Sequence, residues 1–289
     1  MCKNKDTNDE LVFTLINCRY DAASLRRFCS ASGYGWDYPD SVFRDVPLCY
    51  PELLFTRLLT MIVCSERFKL SPLGLLSVRE VLSLTEAVDE LKRGSFSLQA
   101  RVLEYRTVSA GVEVDLTLTA SRHQQTIWTT TLTLLSPNNK FRPEAQPDFE
   151  ITHDPVPERC ISLAVPWSSG VRCAWVFGDL CPLHVFTRLS AHMLWMFSRC
   201  MAEMEKHNGV EVVRAPLTVS VRYKQPVSFP REFTIRVSEN TAETSSTASF
   251  SMEDLRTRTL YLSGQINSQR RRQSDGDVTL TESEGILNT

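Results

Sequence analysis

Apolar and polar residues alternate with a period of two in three successive segments of the first half of the chain. SLQARVLEY places Leu98, Ala100 and Val102 on one face. GVEVDLTLTA sets Val112, Val114, Leu116 and Leu118 against Glu113, Asp115, Thr117 and Thr119, and TIWTTTLTLL continues through Trp128, Leu132 and Leu134. Such alternation, with short polar connections, predicts an antiparallel sheet with one face buried. Ahead of it the period is helical. In YPELLFTRLLTMIVCSERF, Pro51 suits a first turn and Leu54, Leu58 and Ile62 recur on one stripe, with KLSPLG as the loop into the strands.

The order then recurs. RLSAHMLWMFSRCMAEMEK (188–206) reads as a helix apolar on nearly every side between Met193 and Phe197, followed by the alternating runs PLTVSVRYK, FTIRVSE, TASFSME and RTLYLSGQI. Met193, Trp195, Met196, Met201 and Met204 read as core, and Glu203 and Glu205 as solvated late-turn residues. The two helices start 138 residues apart, at Tyr50 and Arg188, which predicts a tandem pair of α+β units, each a long buried helix wrapped by an antiparallel sheet. The expected divisions are an N-terminal extension (1–45), a first unit (46–136), a proline-rich linker (137–158), a second unit (159–267) and a polar, disordered tail (268–289). Within the extension, LVFTLINC has strand character and ASLRRFC helical character.

Composition narrows the class. With 289 residues, 32 basic and 34 acidic, the net charge of −2 gives no bulk attraction to nucleic acid or to an anionic membrane. Nine irregularly spaced cysteines without a C-x-x-C pair predict buried thiols in a reducing compartment. The polar start MCKNKDTNDE has no secretory or transit character, and no apolar run is long enough to span a membrane, so a cytoplasmic location is expected.

Chemistry concentrates in GDLCPLHVF (178–186), where Asp179 and His184 stand five residues apart just ahead of the second helix. A cap and a structural histidine would explain the pair as a helix start. A zinc site from Cys181, His184 and His192 lacks a fourth ligand nearby. The wider stretch VPWSSGVRCAWVFGDLCPLHV resembles the G-D-x-N-P-x-H signature of MaoC-like (R)-specific enoyl-thioester hydratases, of double hot-dog type. SPLGLLSVREVLSLTEAV, AHMLWMFSRCMAE, RYKQPVSFP and YLSGQI resemble further elements of that family in its order, over roughly residues 48 to 267.

The resemblance implies an α+β tandem hot-dog acting on acyl-CoA or acyl carrier protein thioesters, with no metal or redox cofactor, as a monomer or homodimer. Asp179 and His184 would be the acid/base pair. Gly178, Phe177, Cys181, Pro182, His192 and Met193 would line the substrate, and the start of the helix near His192 and Met193 would offer amides to the thioester oxygen. The first unit, without such a pair, would house the acyl chain.

The sequence departs from the family pattern at Phe177, Cys181 and Met193, and in the eight-residue step from His184 to His192, shorter than the resemblance implies. These departures keep a second reading open, a non-catalytic module that binds an acyl thioester or a protein partner. A third is an acyl-thioesterase, for which Glu52 on the first helix is the candidate carboxylate.

Overall fold

A computed structural model describes residues 10–35, 38, 46–138, 158–176, 188–225, 227, 229–241 and 245–269. Its frame is one ten-stranded sheet, in the order β1-β3-β4-β5-β2-β7-β10-β9-β8-β6. The strands are β1 (Val12–Cys18), β2 (Leu76–Leu84), β3 (Phe96–Val108), β4 (Gly111–Arg122), β5 (Gln125–Pro137), β6 (Glu158–Val165), β7 (Leu217–Tyr223), β8 (Arg231–Thr241), β9 (Ser245–Asp254) and β10 (Leu260–Gln269). Every neighbouring pair is antiparallel. Reading outward from the centre, β2-β5-β4-β3-β1 and β7-β10-β9-β8-β6 follow the same connection order. The two sets meet where β2 pairs with β7, with Glu80 opposite Val221 and Leu84 opposite Leu217.

The alternating runs form strands because each buries one side. Leu98, Ala100, Val114, Leu116, Leu118 and Trp128 are all removed from solvent, as their spacing predicts. Asp115 departs from the pattern. Expected on the open face, it is buried and takes both Arg106 Nη1 (2.5 Å) and Arg106 Nη2 (3.0 Å), with Thr133 Oγ1 donating at 2.7 Å. A carboxylate can leave water there because a bidentate guanidinium and a hydroxyl satisfy it.

The α-helices among the described residues are α1 (Ala22–Ser32), α2 (Tyr50–Leu54), α3 (Thr56–Val63), α4 (Trp167–Val176) and α5 (Arg188–Asn208). The single helix expected from Tyr50 onward is instead two short ones, hinged at Phe55, whose N–H donates to Glu52 and Leu53 carbonyls three and two residues back. Packing fixes the break. Phe55 is fully buried and stacks on Trp128 at 5.6 Å between centroids, while Trp128 Nε1 donates to Leu48 O at 2.8 Å.

In the extension, α1 is capped by Asp21, which accepts from Ala23 N (3.0 Å) and Ser24 N (3.2 Å), and it ends at Gly33 in a left-handed conformation, φ +89°. A side chain at Gly33 would also run into the Arg199 guanidinium, 1.8 Å from an ideal Cβ. β1 closes against β3, so residues before 46 contribute both an edge strand and a helix.

α5 carries the densest part of the core. Met193, Trp195, Met196, Phe197, Met201 and Met204 are buried, as the all-round apolar pattern predicts. Glu203 and Glu205 correct the expectation of solvated carboxylates, being only 5% and 4% exposed. Glu203 is enclosed by Arg199 (2.6 Å), Lys206 (3.1 Å) and His207 (3.7 Å), and Glu205 accepts from Tyr38 OH at 2.7 Å. Two elements were not anticipated. β6 alternates Ile161, Leu163 and Val165 and was legible, whereas α4 carries its largest apolar residues, Trp167 and Trp175, on its outside. The expected linker, apart from its ends, and the tail from 270 lie outside the described residues.

Candidate active site

Phe177, Gly178, Asp179, Cys181, Pro182 and His184 lie outside the described residues, between the end of α4 and the start of α5. The His192 side chain is likewise outside them, so the Cys181–His184–His192 grouping has no described geometry. Among the described residues, no three His, Cys, Asp or Glu side chains cluster as a metal site. Met193 is in view and is 3% exposed, part of the core.

α5 begins at Arg188, as the apolar pattern predicts. The amides of His192 and Met193 therefore sit in the second turn, where they donate to carbonyls four residues back. The free donors of this helix belong to its first turn instead.

Three helices, α1, α4 and α5, meet one another, and the last two flank the motif in sequence. Trp195 Nε1 on α5 donates to Ala31 O on α1 at 3.1 Å. The indole packs edge-on against Phe229 at 4.9 Å and tilted against Phe233 at 6.1 Å. α4 packs on both α1 and α5 through the buried Cys173 side. The last residue of α4, Val176, is thus anchored one residue before Phe177.

Behind α5 runs a polar seam within the core. Glu80 on β2 is fully buried, with Thr130 Oγ1 donating to Oε1 at 3.1 Å and Tyr223 OH donating to Oε2 at 2.6 Å. Glu52 on α2 lies near enough to Glu80 for the two carboxyls to perturb each other, and its Oε2 is shut off from solvent without a hydrogen-bond partner among the described residues, although part of the residue is open. Burial first, then the neighbouring Glu80 charge, hold the Glu52 carboxyl well above the usual range. Burial also raises Glu80, opposed by its hydroxyl donors. The phenol and hydroxyl donors favour charge on Glu80, so Glu52 is the more strongly raised of the two.

Cys49 extends the seam toward α5, with the Ser198 hydroxyl beside it. Burial, then the charges of Glu80 and Glu52, push its thiol far above the ordinary value, so it is no thiolate nucleophile. Further along, burial and Glu205 push the Tyr34 phenol up as well.

Sequence reasoning named Glu52 but missed Glu80 and Tyr223. The signal was present. Val78, Glu80, Leu82 and Leu84 share the inward face of β2, and Leu217, Val219, Val221 and Tyr223 that of β7. A glutamate in an inward register is a reason to seek its partners.

The fold is that of the MaoC-like dehydratases, hot-dog proteins. Among solved structures, HtdX of Mycobacterium tuberculosis aligns over 89% of this chain and 99% of its own, with a TM-score of 0.66 and 17% identity. A MaoC-like dehydratase from Phytophthora capsici aligns over 92% of this chain and 96% of its own, with a TM-score of 0.67 and 14% identity. The peroxisomal multifunctional enzyme type 2 of Drosophila melanogaster aligns over 91% of this chain but 48% of its own length, with a TM-score of 0.60 and 12% identity. No protein-family model matches the chain. No curated protein matches it either.

Proposed function

We propose that this chain is an (R)-specific 2-enoyl-thioester hydratase, or in reverse a 3-hydroxyacyl-thioester dehydratase, built as a tandem hot-dog. The observation that carries the reading is a conjunction. The fold matches MaoC-like dehydratases over nearly the whole chain, and the GDLCPLH stretch falls directly before the buried helix α5. The matching connection order of the two strand sets supports the tandem division, with 46–136 housing the acyl chain and 159–267 carrying the chemistry.

Hydration of an α,β-unsaturated thioester needs a base to activate water at the β-carbon and an acid to protonate the α-carbon. Asp179 and His184, sharing one water, would supply both. Imidazole suits the exchange because it titrates near neutral pH. Gly178 allows close backbone approach, and Pro182 restricts Cys181 to an extended conformation. With α5 beginning at Arg188, first-turn amides are the donors for the thioester oxygen. No step so written calls for a metal or redox cofactor. The carrier is coenzyme A or an acyl carrier protein.

A second reading, the binding module that has lost catalysis, is favoured by one observation. Met193 fills the core at the position where the resemblance implies glycine. The thioesterase reading is weakened, because burial and the neighbouring Glu80 hold the Glu52 carboxyl well above the usual range and its Oε2 is closed off from solvent.

The test is hydration of short and medium trans-2-enoyl-CoA by the purified chain, with Asp179→Asn and His184→Ala alongside. Turnover that both variants abolish while folding is retained supports the hydratase. Absence of wild-type turnover at every chain length, with acyl-CoA still bound, selects the module.

A further inference from the structure

Helices α1 and α4 flank an open groove of about 470 Å³ that the reaction above does not use. Its lining is Arg26, Arg27 and Ser30 from α1, and Ser168, Arg172, Trp175 and Val176 from α4. The spacing puts them on facing walls. Arg26 and Ser30 are four apart on one stripe of α1, and Ser168, Arg172 and Trp175 form an i, i+4, i+7 stripe of α4. The opposite sides of both helices are core, through Leu25, Phe28, Cys29 and Cys173, so the stripes are held in place.

The chemistry of the groove is specific. Three arginines, Arg26, Arg27 and Arg172, line it, and Asp21 lies 3.9 Å from Arg27 in an exposed pair. Arginine forks bind phosphate oxygens in pairs. Trp175 is 62% exposed on the wall, an indole face left open to stacking. The volume falls within the roughly 300–1,000 Å³ of small-molecule clefts. Cations, hydroxyls and one open aromatic plane together describe a phosphorylated nucleoside. α4 ends at Val176 and GDLCPLH follows from Gly178, so a ligand held here is tied to the helix that leads into the motif.

We infer that the groove between α1 and α4 binds the phosphorylated adenosine end of a coenzyme A thioester. The identity of the carrier rests on the function proposed above; the nucleotide affinity of the groove does not. The alternatives with related chemistry, a free adenine nucleotide or the acidic face of a carrier protein, are outcomes of the test.

The experiment is calorimetric titration of the full chain with coenzyme A, adenosine 3′,5′-bisphosphate, ADP, phosphopantetheine and holo acyl carrier protein. It is repeated with Arg172→Ala, with Trp175→Ala, and with Arg256→Ala as a distant control. Coenzyme A and the bisphosphate are expected to bind, tenfold or more weakly in Arg172→Ala and Trp175→Ala and unchanged in Arg256→Ala. Affinity should fall as salt rises.

ADP binding as tightly as the bisphosphate would reassign the groove to free nucleotides and overturn the coenzyme assignment. Phosphopantetheine matching coenzyme A, carrier protein outcompeting it, or indifference to both variants overturns it too. Both altered residues are exposed, and circular dichroism checks that the variants fold. Binding without hydration by the wild type would sink the hydratase reading and leave the groove standing. Hydration whose KM for enoyl-CoA is unmoved by either variant would do the reverse.

Discussion

Glu52 and Glu80 meet carboxyl to carboxyl inside the core, one from a five-residue helix and the other from the strand at which the two sets of the sheet join. Tyr223 and Thr130 donate to Glu80, and the Glu52 carboxyl lies beside it. The pair welds α2 to the β2–β7 junction.

Because both folded-state carboxyls hold their proton above the ordinary range, the folded chain binds more protons than the unfolded one between that range and the raised value. Their contribution to stability is present at acid pH and is lost as pH rises through the folded pKa. Urea denaturation from pH 4 upward should show that loss, and Glu52→Gln, which removes the more strongly raised carboxyl, should flatten it. An unchanged slope in the variant would show that Glu52 does not carry the effect.

Tyr223→Phe removes the 2.6 Å donor to Glu80 Oε2 and should destabilise by about 1–3 kcal/mol, the range for a buried acceptor left unmet. A shift below about 0.5 kcal/mol would mean that water replaces the phenol.

Trp128→Ala should cost about 3–5 kcal/mol, through lost burial, the Phe55 stack and the bond to Leu48 O. Trp128→Phe keeps the stack and should cost markedly less. Equal losses in the two would show that the hydrogen bond dominates.

Gly264→Ala tests close packing on β10, where an ideal Cβ lies 2.4 Å from Phe250 Cζ. Overpacking of this kind typically costs 1–3 kcal/mol, or about that here, unless the ring moves. The double variant with Phe250→Leu should recover part of the loss. Non-recovery would place the strain elsewhere.

Cys64 and Cys160 are exposed, whereas Cys29, Cys49, Cys173 and Cys200 are buried. Mass-mapped alkylation of the native chain should label the first two within minutes and the buried four only on unfolding. Burial pushes Cys29 up to about 12, which slows it further. Rapid native labelling of Cys49 would contradict the closed seam.

The sequence by itself determined the strands whose faces differ in polarity, since period-two alternation needs no partner to be read: β3, β4, β5 and the C-terminal runs follow directly from it. It also determined the core of α5, apolar on nearly every side. It singled out Asp179 and His184 through a motif, which is a matter of residue identity and not of packing.

Tertiary structure decided where local pattern gives no instruction. The break at Phe55 came from Trp128, far along the chain, claiming that ring for the core. The burial of Asp115 and Glu205 depended on Arg106 and Tyr38 arriving from other parts of the chain. A carboxylate's solvation is set by its partners, and partners distant in sequence are invisible to periodicity. The same reason hid the union of Glu52 with Glu80 and the facing arginines of α1 and α4, which only the packed fold brings together.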